Sequence, residues 1–492
     1  MAIADTVVVA GEVPTTGSRL QLIAQDVATV GAGTLFSTLF NVLLIFVIPR
    51  LIKVEDFGYW RLFMLYSGYA GFVHLGLADG ALLRWAGRPM DEFRPEMVKA
   101  LRFLICQHAV IILPIALSLG IFLRPELRFV GIAALAYAIL INATTLLQFG
   151  LQSARIFKPV AVSSAAPLGA FLLLVFLWEL KQTPGFRTLI VLYFAGWSAG
   201  LAYLAIQIRM RATELFGTSI WELGKDYVSL GWPVLLANTG MTVVQSVDRL
   251  VISWKASIQD FALYSLAASA TMTVVLAIVS AGFRAFFPHL AAMEHQQRRR
   301  MYAGASRFLL VCWVLLLPYY FVLEAFVRRV LPKYSGSLPI AYILLLGSIF
   351  LGQILVLQAS YAYVHGRQKT FLLCTLIAIG FTFAVAVAMV FGTHSLRAVA
   401  TGEVVALWGW WSLNEWKLSD ITGQTVADWG TALGLICWAA AVYWIVTREV
   451  SGMMVRVGFY YGLVACAVWL VARAELRMVL KVLTSARVRI AS

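Results

Sequence analysis

The chain has 492 residues, 61% of them hydrophobic and 13% charged, with a mean hydropathy of +0.84 and a formal net charge of +15. A soluble helical protein of this length would show amphipathic stripes with charged outer faces; they are missing, which excludes a soluble globular fold. The positive balance is scattered over short loops, where it serves as topology signal and as attraction to anionic lipid headgroups, and does not point to nucleic acid.

In chain order, residues 1–18 lack a basic start and a cleavage site, and residues 1–26 read as a loose cytoplasmic tail. Fourteen apolar stretches follow, at 27–49, 60–83, 101–123, 129–150, 159–178, 189–208, 229–252, 262–288, 303–323, 338–362, 370–391, 396–413, 428–447 and 455–472. A spanning helix needs about 20 apolar residues, so the expected fold is an all-α polytopic membrane protein of about 14 transmembrane helices. Its units are an N-lobe of six helices (27–208), a cytoplasmic linker (209–228), a C-lobe of six helices (229–413), and a last pair of helices with a basic cytoplasmic tail (414–492). Lys and Arg favour the breaks after even-numbered stretches, as in Arg88, Arg94 and Lys99 or Arg298, Arg299 and Arg300. Both termini are therefore expected in the cytoplasm. No break is long enough for a soluble catalytic domain.

The lobes echo one another. Arg50-Leu51-Ile52 followed by Asp56-Phe57-Gly58-Tyr59-Trp60 is answered by Arg249-Leu250-Val251 followed by Asp260-Phe261-Ala262-Leu263-Tyr264. Gln148, Arg155 and Lys158 are answered by Gln358, Arg367 and Lys369. An even number of helices per copy makes the lobes parallel, an arrangement in which transporters carry their substrate path between the halves.

Polar side chains inside apolar stretches are costly unless they face protein or a wet cavity. Asn238, Thr242, Gln245 and Arg249 share one face of the seventh stretch, and Ser269, Thr273, Ser280 and Arg284 one face of the eighth. The first carries Thr34, Ser37 and Asn41; the second carries His74, Asp79 and Arg84. Serines and threonines in such stripes also join helices to one another. Arg84, Arg284, Arg249, His74, Asn41, Asn238 and Gln245 are the cavity candidates, with a positive lining towards the cytoplasm that suits a phosphate. An ion pair between Asp79 and Arg84 is an alternative role for those two.

His74 and Asp79 also form H-x-x-x-x-D, a spacing found in glycerolipid acyltransferases. On a continuous helix the two would diverge by about 140°, and nothing else of that chemistry accompanies them. There is no metal-ligand spacing, no phosphate loop and no nucleophile elbow, so no cofactor is expected and ATP cannot drive the chain directly. Cys106, Cys312, Cys374, Cys437 and Cys466 read as apolar fillers. The cluster Trp408, Trp410, Trp411 and Trp416 beside Lys417 reads as an interfacial belt.

The segments NVLLIFVIPRLIKVEDFGYWRLF (41–63), HLGLADGALLRWAGR (74–88), SVDRLVISWKASIQDFALYSL (246–266) and VSAGFRAFFPHLA (279–291) resemble the polysaccharide flippases that move lipid-linked O-antigen and related units. Their superfamily also holds the MATE antiporters and the lipid II flippases. The likeness spans roughly residues 20–400. It implies two six-helix bundles around a basic cavity, arginines for the pyrophosphate and an acidic residue near the end of helix two; Arg84, Arg284 and Asp79 match those positions. The first stretch lacks the mid-depth basic residues of the lipid II branch.

The resulting expectation is a bacterial inner-membrane flippase, not an enzyme, for a polyprenyl-(pyro)phosphate-linked oligosaccharide such as a lipopolysaccharide repeat unit. It would work by alternating access, with Asp79 or Glu403 as a proton or sodium site. Expected partners are the lipid-linked oligosaccharide, membrane lipids, and polymerase and glycan-export proteins. The alternatives are a drug/cation antiporter, which calls for an acidic cavity, and a scaffold of a glycan-synthesis complex, which would tolerate loss of the cavity arginines.

Overall fold

Inside hydrocarbon every backbone N–H and C=O must find a partner within the chain, so apolar runs of this length fold as helices. The computed structural model describes residues 16–209 and 220–471, and no strand occurs among them. Its N-lobe comprises α1 (Thr16–Leu51), α2 (Val54–Ser67), α3 (Leu77–Trp85), α4 (Met90–Phe122), α5 (Pro125–Ser153), α6 (Phe157–Glu179) and α7 (Phe186–Gln207). The C-lobe comprises α8 (Trp221–Val244), α9 (Val247–Lys255), α10 (Ile258–Ala292), α11 (His295–Leu316), α12 (Tyr319–Val330), α13 (Leu338–Gly352), α14 (Ala359–Val364), α15 (Gln368–Thr393) and α16 (Leu396–Lys417). A short α17 (Ser419–Thr422) leads to α18 (Val426–Glu449) and α19 (Met453–Val471). Taken as rods between chain reversals, these helices coincide one for one with the fourteen apolar stretches. Among the described residues, nine segments are long and apolar enough to cross a membrane by length and composition.

Four rods depart from the continuous helices expected. The second breaks between α2 and α3, where a 3-10 turn (Ala70–His74) runs into Leu75 at φ +50° and Gly76 at φ +88°. Amide side chains hold the carbonyls freed by the break: Asn142 Nδ2 donates to Ala70 O at 2.8 Å, and Gln107 Nε2 to Val73 O at 3.0 Å. The seventh breaks at Gln245–Ser246, between α8 and α9. The ninth turns at Leu317–Pro318, and the tenth carries a π-helical turn at Gln353–Gln358. The first begins at Thr16, so the tail expected over 1–26 is helical from Thr16 onward. Half of the linker at 209–228 (210–219) and the basic tail after 471 lie outside the described residues, and α8 claims the linker's end.

The N-lobe packs around an aromatic core in which Trp60, Phe63, Tyr137, Phe171 and Tyr193 are all buried. In the C-lobe, Tyr342 stacks on Tyr443 of α18 at 4.4 Å. Trp410 and Trp411 are buried in that core, with 2% and 1% exposure, and only Trp408 and Trp416 of the expected belt face outward. Bulky side chains such as Leu113, Leu117 and Ile121 on α4 or Leu373, Leu376 and Ile377 on α15 are exposed in the way a lipid-facing surface requires.

The lobes meet along two seams. At one end, α2 crosses α10 so closely that a Cβ on Gly58 would stand 2.4 Å from Ile258 O. At the other, α3 lies on α8 backbone to backbone: a Cβ on Gly231 would stand 1.9 Å from Gly76 O and 2.3 Å from Gly80 N. Only glycine permits that approach. Arg84 closes this second seam, its Nη2 donating to Asp226 Oδ2 at 2.9 Å and its Nε to the same oxygen at 3.1 Å.

Candidate functional site

Between the seams lies a cavity of about 640 Å³, lined from α1 by Thr38 and Asn41, from α2 by Trp60 and Arg61, from the α8–α9 break by Gln245 and Arg249, and from α10 by Ser269, Met272, Thr273 and Ser280. The two arginines have different local origins. Trp60 turns into the N-lobe core, so the next residue, about 100° further round the helix, faces the other way; Arg61 Nη2 then donates to Ser269 Oγ across the lobe boundary. Arg249 follows the break between α8 and α9, and its Nη2 donates to Gln245 O at 2.7 Å, one of the carbonyls that the break leaves free. Arg61 Nε and Arg249 Nε have no hydrogen-bond partner. Buried donors of that kind call for an acceptor.

The acidic groups lie behind the wall. Asp248 is buried and accepts from Tyr264 OH at 2.6 Å, with its Oδ1 4.0 Å from Arg249 Nε. Glu403 is buried beside it at a void of about 10 Å³ shared with Gln245, Asp248 and Met272. Neither is among the described residues that line the main cavity, whose ionisable side chains are the two arginines. The breaks of the second and seventh rods also touch: Tyr69 and Ser246 are hydrogen-bonded at 2.8 Å.

Of the residues singled out in the sequence, Asn41, Gln245 and Arg249 line this cavity, as do Ser269, Thr273 and Ser280. Ser37 instead ties α1 to α6 through Ser164 O at 2.9 Å. Arg84 does not line it. The break before α3 carries Arg84 to the far end of the bundle, where its side chain is 53% exposed against Asp226. The expected pair of Asp79 with Arg84 gives way to Asp79 with His74, whose Nε2 stands 3.9 Å from Asp79 Oδ2. His74 is buried at the break, away from the cavity. The same break brings the H-x-x-x-x-D pair together, which a continuous helix would have held apart. The side chains of Arg284 and Asn238 lie outside the described residues. Among the described residues, the cations that line the cavity come from α2 and α9, and Arg84 is not one of them.

Sequence reasoning missed Arg61, Asp248 and Tyr264. Arg61 is the second residue of its apolar stretch (60–83), yet α2 starts at Val54, and seven residues of helix carry Arg61 about 10 Å along the rod.

Residues 23–294 match the family model described as polysaccharide biosynthesis protein. The chain belongs to that family. No curated protein sequence matches it. Among solved structures this polysaccharide biosynthesis protein is similar to the lipid II flippase MurJ in an inward closed conformation, with a TM-score of 0.59 at 14% identity over 91% of this chain and 99% of that one. It is similar as well to a multidrug resistance MATE transporter of the MOP superfamily, inward-facing, with a TM-score of 0.60 at 14% identity over 80% and 95% of the two chains. The outward-facing form of a MATE transporter gives 0.55 at 14% identity over 84% and 99%. At these identities the likeness establishes the fold alone: an all-α, multi-pass architecture similar to that of these transporters.

Proposed function

We propose that this family member flips a polyprenyl-(pyro)phosphate-linked oligosaccharide from the cytoplasmic to the outer leaflet of a bacterial inner membrane, with both termini in the cytoplasm. The observation that carries this reading is a cavity between the lobes whose ionisable lining, among the described residues, is the two arginines Arg61 and Arg249. Guanidinium groups present forked donors that match phosphate oxygens. Asn41, Gln245, Thr273 and Ser280 supply neutral groups for the sugars nearest the phosphate, and the polyprenyl tail stays in the bilayer. Alternating access consists of opening one seam while the other stays shut, the α3–α8 seam facing the cytoplasm. A drug/cation antiporter would turn its carboxylates into the cavity, whereas here Asp248 is turned towards Tyr264.

The test is the leaflet distribution of the lipid-linked oligosaccharide in cells whose only copy carries Arg61→Gln or Arg249→Gln. Accumulation on the cytoplasmic side, with the protein still inserted, is the expected result. Undiminished export in the double variant would refute the reading and favour a scaffold.

A further inference from the structure

Two histidines lie at the break in the second rod, His74 within it and His108 on the neighbouring α4, and their hydrogen bonds differ in a way that matters. His108 is saturated: its Nδ1 is 2.8 Å from Leu104 O and its Nε2 is 2.9 Å from Asn142 Nδ2. A carbonyl can only accept and an amide nitrogen only donate, so His108 is a neutral imidazole with Nδ1–H and a lone pair on Nε2. His74 has one nitrogen engaged. Its Nδ1 accepts from Gly76 N–H at 3.1 Å, which places the ring proton on Nε2, facing Asp79 Oδ2 at 3.9 Å. That is too long for a hydrogen bond. Both side chains are buried, and Asp79 sits in the first turn of α3, where the helix dipole favours a carboxylate.

We propose that His74 and Asp79 form a proton-binding site whose occupancy sets the α3–α8 seam, resting on the transporter reading only in that the seam must open. As drawn, the pair carries a net charge of minus one: a carboxylate and a neutral ring. A proton from solvent raises that charge by one, either by forming the carboxylic acid on Asp79 or by forming an imidazolium on His74. The imidazolium needs a hydrogen on Nδ1, the atom that now accepts from Gly76 N–H. Two donors would then face one another at 3.1 Å, and the side-chain clamp on the left-handed turn at Leu75–Gly76 would be lost. Gly76 is also the residue whose carbonyl meets Gly231 of α8. Protonation of His74 at Nδ1 and the Gly76 clamp are thus mutually exclusive, and loss of the clamp frees the backbone that packs on Gly231 in the closed seam. The two states differ in a defined contact, which is what coupling a ligand to a conformational equilibrium requires.

The other titratable groups on the packed elements are committed elsewhere. From α4, His108 is saturated and Glu96 accepts from Arg88 at 3.0 Å and from Tyr227 at 2.8 Å. From α8, Asp226 holds Arg84 and Tyr227 OH accepts from Trp85 Nε1 at 3.0 Å. From α5 the facing polar group is Asn142, which does not titrate.

The experiment measures the seam without substrate. Spin labels are placed at Ala86→Cys and Glu222→Cys, both exposed beside the seam, in a background with the native cysteines replaced and the full chain in lipid. Distances are recorded between about pH 5.5 and 8.5, a window that brackets an ordinary imidazole and lies above ordinary carboxylates. The expected result is a change of about tenfold or more in the ratio of long to short distances, lost in the double variant His74→Gln, Asp79→Asn and kept in His108→Gln. A wild-type seam insensitive to pH overturns the proposal, as does pH dependence that survives the double variant. Should that variant fail to insert, Asp79→Glu serves, and an unchanged midpoint counts against the site. Because no substrate is present, failure here leaves the flippase reading standing, and loss of flipping in the Arg61 and Arg249 variants leaves this proposal untouched.

Discussion

Replacing Arg61 or Arg249 by Gln removes one of two cations from the cavity while keeping a polar side chain of similar reach. A hydrogen bond to a charged group contributes about 1.5–3 kcal/mol, so each single variant should bind a short-chain polyprenyl diphosphate about 10- to 150-fold more weakly, at tenfold per 1.4 kcal/mol. The losses will not simply add, because both arginines would grip the same ligand group. Arg61 also gives up its bond to Ser269 Oγ, and Arg249 its bond to Gln245 O; both acceptors face the open cavity. The assay is calorimetric titration of the purified protein in detergent, at two salt concentrations. Leu117→Ala on the outer surface of α4 serves as the control. The reasoning is refuted if each variant loses less than about threefold, or if the corresponding uncharged polyprenol loses as much, since that would trace the effect to packing.

Further outcomes follow from the seams and from the added helices. Gly231→Val puts side-chain carbon where Gly76 O and Gly80 N now lie, so it should hold the α3–α8 seam apart. Labelling of a cysteine introduced at Thr273 by a water-soluble reagent from that side should rise, and unchanged labelling would contradict the closed seam. Arg84→Ala and Asp226→Ala should shift the same equilibrium only a few-fold, because half-exposed ion pairs contribute about 0.2–1 kcal/mol; a double-mutant cycle on the seam distances should return a coupling in that range. Glu324 accepts from Arg328 Nε at 3.0 Å and from Arg456 Nη1 at 2.6 Å while its own side chain is only 10% exposed. Glu324→Ala leaves Arg456 without that partner and should cost about 3 kcal/mol, read as a fall in the thermal unfolding temperature in detergent without loss of diphosphate affinity.

The rods were legible in the sequence because hydropathy reports composition, and composition decides what can sit in lipid. Their interruptions were not. Residues 60–83 keep a spanning helix's hydropathy across the point where Leu75 and Gly76 leave the helix. What fixes the break is tertiary: the glycine seam with α8, and the amides of Asn142 and Gln107 waiting for the carbonyls it frees. The site was half visible for the same reason. Gln245 and Arg249 announced themselves by spacing, whereas Arg84 and His74 were assigned to a cavity along a helix that is not continuous. Arg61 lacked any signal beyond its depth from Val54. The two buried tryptophans at 410 and 411 carry the same lesson, since aromatic composition alone does not separate an interfacial belt from a core.

The last two helices attach to one lobe. Asp428 of α18 pairs with Arg307 of α11 at 3.3 Å, Tyr460 of α19 donates to Val314 O at 2.9 Å, and Glu324 holds Arg456 from α12. None of these anchors touches α1, α2, α3 or the two seams. In the alternating-access cycle proposed above, the pair would travel with the second lobe. A fluorophore or a fused domain placed beyond α19 would report how the second lobe swings against the first, without braking the swing it reports.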